Sequence, residues 1–173
     1  MSQNFLSENE VANMNDDTAA WEKFLYVLEW VLAVQMRYAT NLRHSLVCIN
    51  FHDQKRLGDA YGAKDALQML IDLAGRLRHA MRKTDLVARS GTSIWVLIPF
   101  VTPESVLSKV AQIVEIAAGN GLDIVDRDIA IFSIPDAGIL EDKKFASAQE
   151  FLDFIGDNKN VSMRWEGSQR RPG

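Results

Sequence analysis

From Ala19 to about Ala39 the chain runs without Gly or Pro, and Phe24, Leu28, Val31, Leu32 and Gln35 recur at helical spacing. Trp21, Leu25, Tyr26, Trp30 and Val34 fall outside that stripe, so the helix is apolar on more than one face and calls for deep burial or a second partner. Asp16, Asp17 and Thr18 offer N-cap chemistry in front of it. The polar, period-less residues before them read as a flexible leader over residues 1–18. After a turn at Thr40 to Arg43, the run SLVCINF (Ser45 to Phe51) has strand length, and the polar stretch from Asp53 to Gly62 connects it onward. Asp65 to Arg82 predicts a long helix with Leu67, Leu70, Ile71, Ala74, Leu77 and Met81 on one side. Two strands, DLVAR (Asp85 to Arg89) and IWVLIP (Ile94 to Pro99), flank the turn SGTS and predict a β-hairpin.

Thr102 and Pro103 open a further helix whose inner face carries Val106, Val110, Ile113, Val114 and Ala117, and Gly119-Asn120-Gly121 stops it. IAIFSI (Ile129 to Ile134) is a strand and Ser147 to Ile155 a short helix. Asn160 to Trp165 reads as a last strand, and residues 167–173 as a disordered tail. The order of helices and strands implies one α/β domain, of the α+β type, over residues 19–166, with the hairpin making at least part of its sheet antiparallel.

Composition fits this picture and narrows the function. At 173 residues with 47% apolar side chains, one domain can bury a full core without staples. The balance of 19 Lys+Arg against 23 Asp+Glu leaves a net charge of -4, which argues against a nucleic-acid binder led by phosphate contacts. A single cysteine, Cys48, excludes an internal disulfide framework and any CxxC site, and suits a reducing cytoplasm. The most apolar run, Phe24 to Met36, contains Glu29 and Gln35 and falls short of the roughly 18 to 20 residues of a spanning helix. No membrane insertion is expected. His44, His52 and His79 lie on different elements without metal-ligand spacing, and no cofactor is implied.

Two stretches carry a family resemblance. NFHDQKRLGDAYG, Asn50 to Gly62, resembles the DxDxFKxINDxxGH stretch of GGDEF (diguanylate cyclase) domains. RKTDLVARSGTSIWVLIP, Arg82 to Pro99, resembles their RxxDxxxRxGGDEFxxxLP stretch, and the spacing between the two matches without a gap. IAIFSIP and FIGDNKNVS resemble later motifs of the family, so the likeness runs from about Trp21 to Trp165. It implies a nucleotide-cyclase-like fold, a largely antiparallel central sheet flanked by helices. The activity residues depart from the pattern. Gly91, Thr92, Ser93, Ile94 and Trp95 stand where the signature Gly-Gly-Asp/Glu-Glu-Phe belongs, and Asn50 replaces the metal-binding aspartate of the first strand. Mg²⁺ is a hard ion held by charged oxygens, and an amide, a hydroxyl and a hydrocarbon supply none. Gly58 and Leu67 replace the guanine-reading Asn and Asp, Ile155 the phosphate-contacting lysine, and Asn13 to Trp21 lacks the DxLTGLxNR motif. The resemblance therefore implies no catalytic residue here.

GGDEF domains often carry an inhibitory site for cyclic di-GMP with an RxxD motif five residues before the signature. Arg82-Lys83-Thr84-Asp85 stands in that register, with Arg78 nearby. A guanidinium forks onto a phosphate or a guanine edge, and a carboxylate accepts guanine N–H protons. Arg82, Asp85 and Arg78 are thus candidate cyclic di-GMP ligands. The structural alternative is an Asp capping the helix-to-strand turn. No second arginine comes from the next helix, where Lys109 is the one basic residue. Two expectations follow: an inactive regulatory module that senses cyclic di-GMP, or a pseudoenzyme serving only protein interaction or dimerisation through helix 19–39.

Overall fold

A strand that is apolar without alternation must be covered on both faces, and SLVCINF finds that position at the centre of the sheet. In a computed structural model of the chain, residues 7–38, 43–51, 62–101, 103–124, 128–134, 145–157 and 163–164 are described. They form α1 (Glu8–Tyr38), β1 (His44–Asn50), α2 (Ala63–Ala80), β2 (Leu86–Ser90), β3 (Ser93–Pro99), α3 (Pro103–Gly119), β4 (Ile129–Ile134), α4 (Ala148–Asp157) and β5 (Met163–Arg164). The five strands are ordered β2-β3-β1-β4-β5. Each pairing is antiparallel, β1 lying between β3 and β4. The unit β1-α2-β2-β3-α3-β4 is therefore a ferredoxin-like split βαβ core. The expected largely antiparallel sheet is found, and among the described strands it is wholly so.

The period of two along β1 sends its side chains to two cores. Val47 and Ile49 join Val87, Ile94, Val96 and Ile98 under α2 and α3. Leu46 and Cys48 join Trp95, Leu97 and Phe132 under α1 and α4, where Phe24, Leu28 and Phe151 pack. The predicted stripe Phe24, Leu28, Val31, Leu32 and Gln35 is the buried face of α1. Trp21 and Leu25 are half-buried against the same core, whereas Tyr26 and Trp30 face outward.

The main departure from expectation lies at the entry to α1. The helix starts at Glu8, so residues 8–18 are not a loose leader, and Asp16, Asp17 and Thr18 lie inside it rather than capping it. The cap is Ser7. The Glu10 backbone N–H donates to Ser7 Oγ (3.2 Å) and the Ser7 N–H donates to Glu10 Oε2 (2.8 Å), a reciprocal capping box. That bond holds the Glu10 carboxyl below the usual carboxylate range. Thr18 instead donates its hydroxyl to the Met14 carbonyl one turn back. Elsewhere the shifts are small. α2 ends at Ala80, with Met81 already extended, so Arg82 lies outside the helix. α3 stops where expected, through a Schellman motif: Leu122 N–H donates to the Ala117 carbonyl and Gly121 N–H to that of Ala118, with Gly121 at φ 79°. The turn at 40–43, except Arg43, the connection at 53–62 before Gly62, His52, Gly58, the Thr102 cap and the tail 167–173 lie outside the described residues. No helix among the described residues is long and apolar enough to cross a membrane.

At the head of β1, His44 packs edge-on against Phe100, ring centroids 5.5 Å apart. Phe100 holds a left-handed backbone (φ 55°), and its N–H donates to the Arg43 carbonyl. Burial lowers the pKa of His44. A histidine that is harder to protonate folded than unfolded leaves stability unchanged above the unfolded pKa, about 6.5, and erodes it as pH falls through that value. Chemical denaturation of wild type and His44→Asn at several pH values is expected to show a steeper loss in wild type between about pH 7 and pH 5. Equal slopes would remove His44 as the cause.

Candidate functional site

At the end of the sheet where β1 finishes and the hairpin turns, a cleft of about 580 Å³ is lined by residues of α1, α4 and the sheet. Its floor is the sheet. Asn50 of β1 is the direct antiparallel partner of Ser93 on β3, as Cys48 is of Trp95, and all four side chains line the cleft. Ser90 extends the floor, Trp21 of α1 forms one wall, and Gln149, Asp153 and Ile155 of α4 form another. Gly91 and Thr92 make the two-residue turn beside it, with Gly91 at φ 57°, a conformation glycine adopts without strain. The Thr92 carbonyl accepts the Phe51 N–H and so ties the turn to the end of β1. Ile94 points to the opposite face and is fully buried beneath α2 and α3. The period of two thus places Asn50, Ser93 and Trp95 in the cleft and takes Ile94 out of it.

On the cleft floor the polar groups, Asn50, Ser90 and Ser93, are neutral. Among the lining residues Asp153 is the sole carboxylate, and its Oδ1 accepts a hydrogen bond from Gln149 Nε2 (3.0 Å). Among the described residues no group of three His, Cys, Asp or Glu is placed to hold a metal ion. A hard divalent cation needs several charged oxygens at one point, and a floor of Asn50 and Ser93 does not fit one.

Next to the turn, Arg89 of β2 ties the hairpin to α1. Its Nε and Nη2 fork onto Asp17 Oδ1 (3.3 Å) and Oδ2 (2.7 Å), and its Nη1 donates to the Gly91 carbonyl (2.7 Å). One guanidinium thereby joins α1, β2 and the turn. Asp17 escaped notice as a partner because N-cap chemistry accounted for it. The available signal was its place seven residues before Phe24, on the buried stripe.

The RxxD segment lies where α2 hands over to β2. Arg82 and Lys83 are exposed, and Arg78 is half-buried with Nη1 buried and unpartnered among the described residues. Asp85 behaves differently. Its side chain is 2% exposed, and Oδ2 accepts from Lys109 Nζ (2.6 Å) and from the Arg82 backbone N–H (3.2 Å). The Asp85 N–H in turn donates to the Arg82 carbonyl. Of the two sequence readings of Asp85, turn cap or ligand group, the geometry realises the cap. The structure brings Arg78, Arg82 and Asp85 to one corner but occupies the carboxylate with Lys109, a residue noted in the sequence only for its charge.

The family model for the diguanylate cyclase GGDEF domain matches residues 26–126, more than half of the chain. The chain belongs to the GGDEF domain family. Solved GGDEF domains share its fold at low identity. That of DgcB from Caulobacter crescentus, in complex with c-di-GMP, superposes with a TM-score of 0.57 at 13% identity, over 80% of this chain and 79% of that one. The FimX GGDEF domain from Pseudomonas aeruginosa gives 0.56 at 18% identity, over 80% and 85%. The active GGEEF domain of a diguanylate cyclase from Vibrio cholerae gives 0.53 at 14%, over 82% and 91%. No curated protein sequence matches the chain. The matched residues 26–126 include the hairpin Ser90 to Trp95 and Asn50, whose side chain lines the cleft.

Proposed function

We propose that this GGDEF domain makes no cyclic di-GMP and acts as a regulatory module by docking to protein. One observation carries the reading: the cleft floor beside the signature hairpin presents Asn50 and Ser93 as cross-strand partners, an amide and a hydroxyl where metal-assisted phosphoryl transfer needs carboxylates. Among the described residues the cleft's single carboxylate, Asp153 on α4, accepts a hydrogen bond from Gln149. What the chain keeps is a packed scaffold with an aromatic helix face turned outward. Incubation with GTP and Mg²⁺ is expected to give no cyclic di-GMP above a protein-free control. Product that scales with enzyme concentration would overturn the reading of Asn50 and Ser93.

A second reading has its own support. Arg82 and Lys83 are exposed, Arg78 carries a buried nitrogen unpartnered among the described residues, and the DgcB domain is solved in complex with c-di-GMP. Reception of the dinucleotide at Arg82 and Asp85 would compete with Lys109, which holds Oδ2 of that carboxylate. Titration calorimetry of wild type with cyclic di-GMP is expected to show no heat at ~100 μM ligand, a weak affinity on the usual scale. Saturable binding lost in Arg82→Ala would promote this second reading to the first.

A further inference from the structure

The antiparallel register lays the cleft floor out in two rows. Asn50 pairs with Ser93 and Ser93 with Ser90, so three polar side chains stand abreast on β1, β3 and β2. Two residues further into the sheet, Cys48 pairs with Trp95 on one side and with Ala130 of β4 on the other. Both rows line the cleft. At strand spacings of about 4.8 Å the polar row is roughly 10 Å long, and the apolar row lies about 7 Å from it. Trp21 forms an aromatic wall, and its ring stacks on the buried Phe24 with centroids 5.6 Å apart, so the wall is fixed in place by the core. No Lys, Arg or His is among the described lining residues, and the one carboxylate, Asp153, belongs to the α4 wall.

We propose that this cleft binds a small uncharged aromatic amide, a planar ring carrying an N–H donor and a C=O acceptor side by side. The proposal rests on the reading that no metal-assisted phosphoryl transfer takes place here, and goes further by naming what the altered floor holds. At about 580 Å³ the cleft falls within the roughly 300–1,000 Å³ of small-molecule sites. The Asn50 side chain offers a donor and an acceptor together, so a ligand amide pairs with it through two reciprocal hydrogen bonds. The Ser93 and Ser90 hydroxyls, next along the row, serve the ligand's remaining polar atoms. A ring attached to that amide lies over Cys48, Trp95 and Ala130, the apolar row. A phosphate or carboxylate would give up its hydration without meeting a cation and would share the cleft with Asp153. A purely apolar ligand would strip water from the polar row without replacing its hydrogen bonds. Both rows are satisfied together only by a neutral ligand with one polar edge.

Nicotinamide and nicotinate make the test, because they share one ring and differ in charge. A ligand of this size is expected to bind weakly, with a dissociation constant on the order of 1 mM. In nitrogen-labelled protein, nicotinamide is expected to shift the indole N–H signals of Trp21 and Trp95. That of Trp30, 62% exposed and outside the cleft, should stay in place. Nicotinate is expected to bind at least about tenfold more weakly. Asn50→Asp keeps the side-chain shape but removes its donors, and should weaken nicotinamide about fivefold or more, with Ser93→Ala costing about twofold. The remainder of each spectrum shows that the variant is folded. Equal affinity for nicotinate, or no shift at roughly 20 mM nicotinamide, well above the expected constant, overturns the proposal. So do shifts of Trp21 and Trp95 by GTP and Mg²⁺ at lower concentration than nicotinamide needs. GTP turnover on the same samples keeps the two claims apart. Cyclic di-GMP production would defeat the inactive reading and the ligand proposal with it, whereas absent turnover with no nicotinamide shift would defeat the ligand proposal alone.

Discussion

Replacing Asp17 with alanine is expected to destabilise the domain by about 3 kcal/mol, because it leaves the Arg89 guanidinium buried without its counter-charge. Arg89 and Asp17 are only 15% and 5% exposed at their side chains, so water cannot take the place of the lost partner cheaply. The effect should read as a fall of roughly 6 to 12 °C in Tm for a chain of this length. Arg89→Ala is expected to cost about 4 kcal/mol, since it strands Asp17 and also removes the donor to the Gly91 carbonyl. The double variant should lose less than the sum of the two by about 2 kcal/mol, the coupling of a pair whose members each need the other. The site would register the change as well, because the same guanidinium holds the turn beside Ser93. A Tm change within about 1 °C for Asp17→Ala would mean that the fork contributes nothing measurable, and that the entry of α1 is fixed by its capping box alone.

That pair also shows what the sequence could and could not disclose. Asp17 and Arg89 stand 72 residues apart, and no local pattern links them. The elements themselves were legible where burial repeats along the chain. β1 and β3 read as unbroken apolar runs because helices cover both faces of the sheet, and the hairpin was marked by Gly91, whose positive φ the turn requires. The end of α3 was written in Gly119 to Gly121. The start of α1 was not legible as periodicity, because residues 8–16 extend past the core and bury almost nothing. A helix segment with no buried stripe has no period to read. Its sole local signal was Ser7 followed three residues later by Glu10. Strand order is a matter of long-range pairing that no local pattern carries, and the family resemblance implied only a largely antiparallel sheet, not the order β2-β3-β1-β4-β5.

For the candidate site the balance is similar. Asn50 and Ser93 were singled out by comparison with the family motif, and the register of β1 with β3 places the two side chains together. Ile94, in the same motif, proves to face the other core. The RxxD motif was visible too. Its occupant was not, since Lys109 reaches Asp85 from the next helix, 24 residues on.

Lys109→Met is expected to destabilise the domain by about 3 kcal/mol, and by more than Asp85→Ala, which should cost about 2 kcal/mol. The asymmetry follows from where the two charges sit. Asp85 is 2% exposed at its side chain against 18% for Lys109. Without the lysine, a carboxylate is left inside with, among the described residues, the Arg82 backbone N–H as its remaining donor. Without the carboxylate, the longer lysine can swing its ammonium to water while its stem stays packed. What Asp85→Ala then loses is the pair and the cap on the Arg82 N–H. Urea denaturation of the two variants and their double mutant measures the order. If Asp85→Ala proved the more damaging, the capping bond rather than the ion pair would dominate the corner. If Lys109→Met proved harmless, Asp85 would be free to leave the pair, and the exposed guanidinium of Arg82 with an available carboxylate three residues on would restore the case for a dinucleotide ligand.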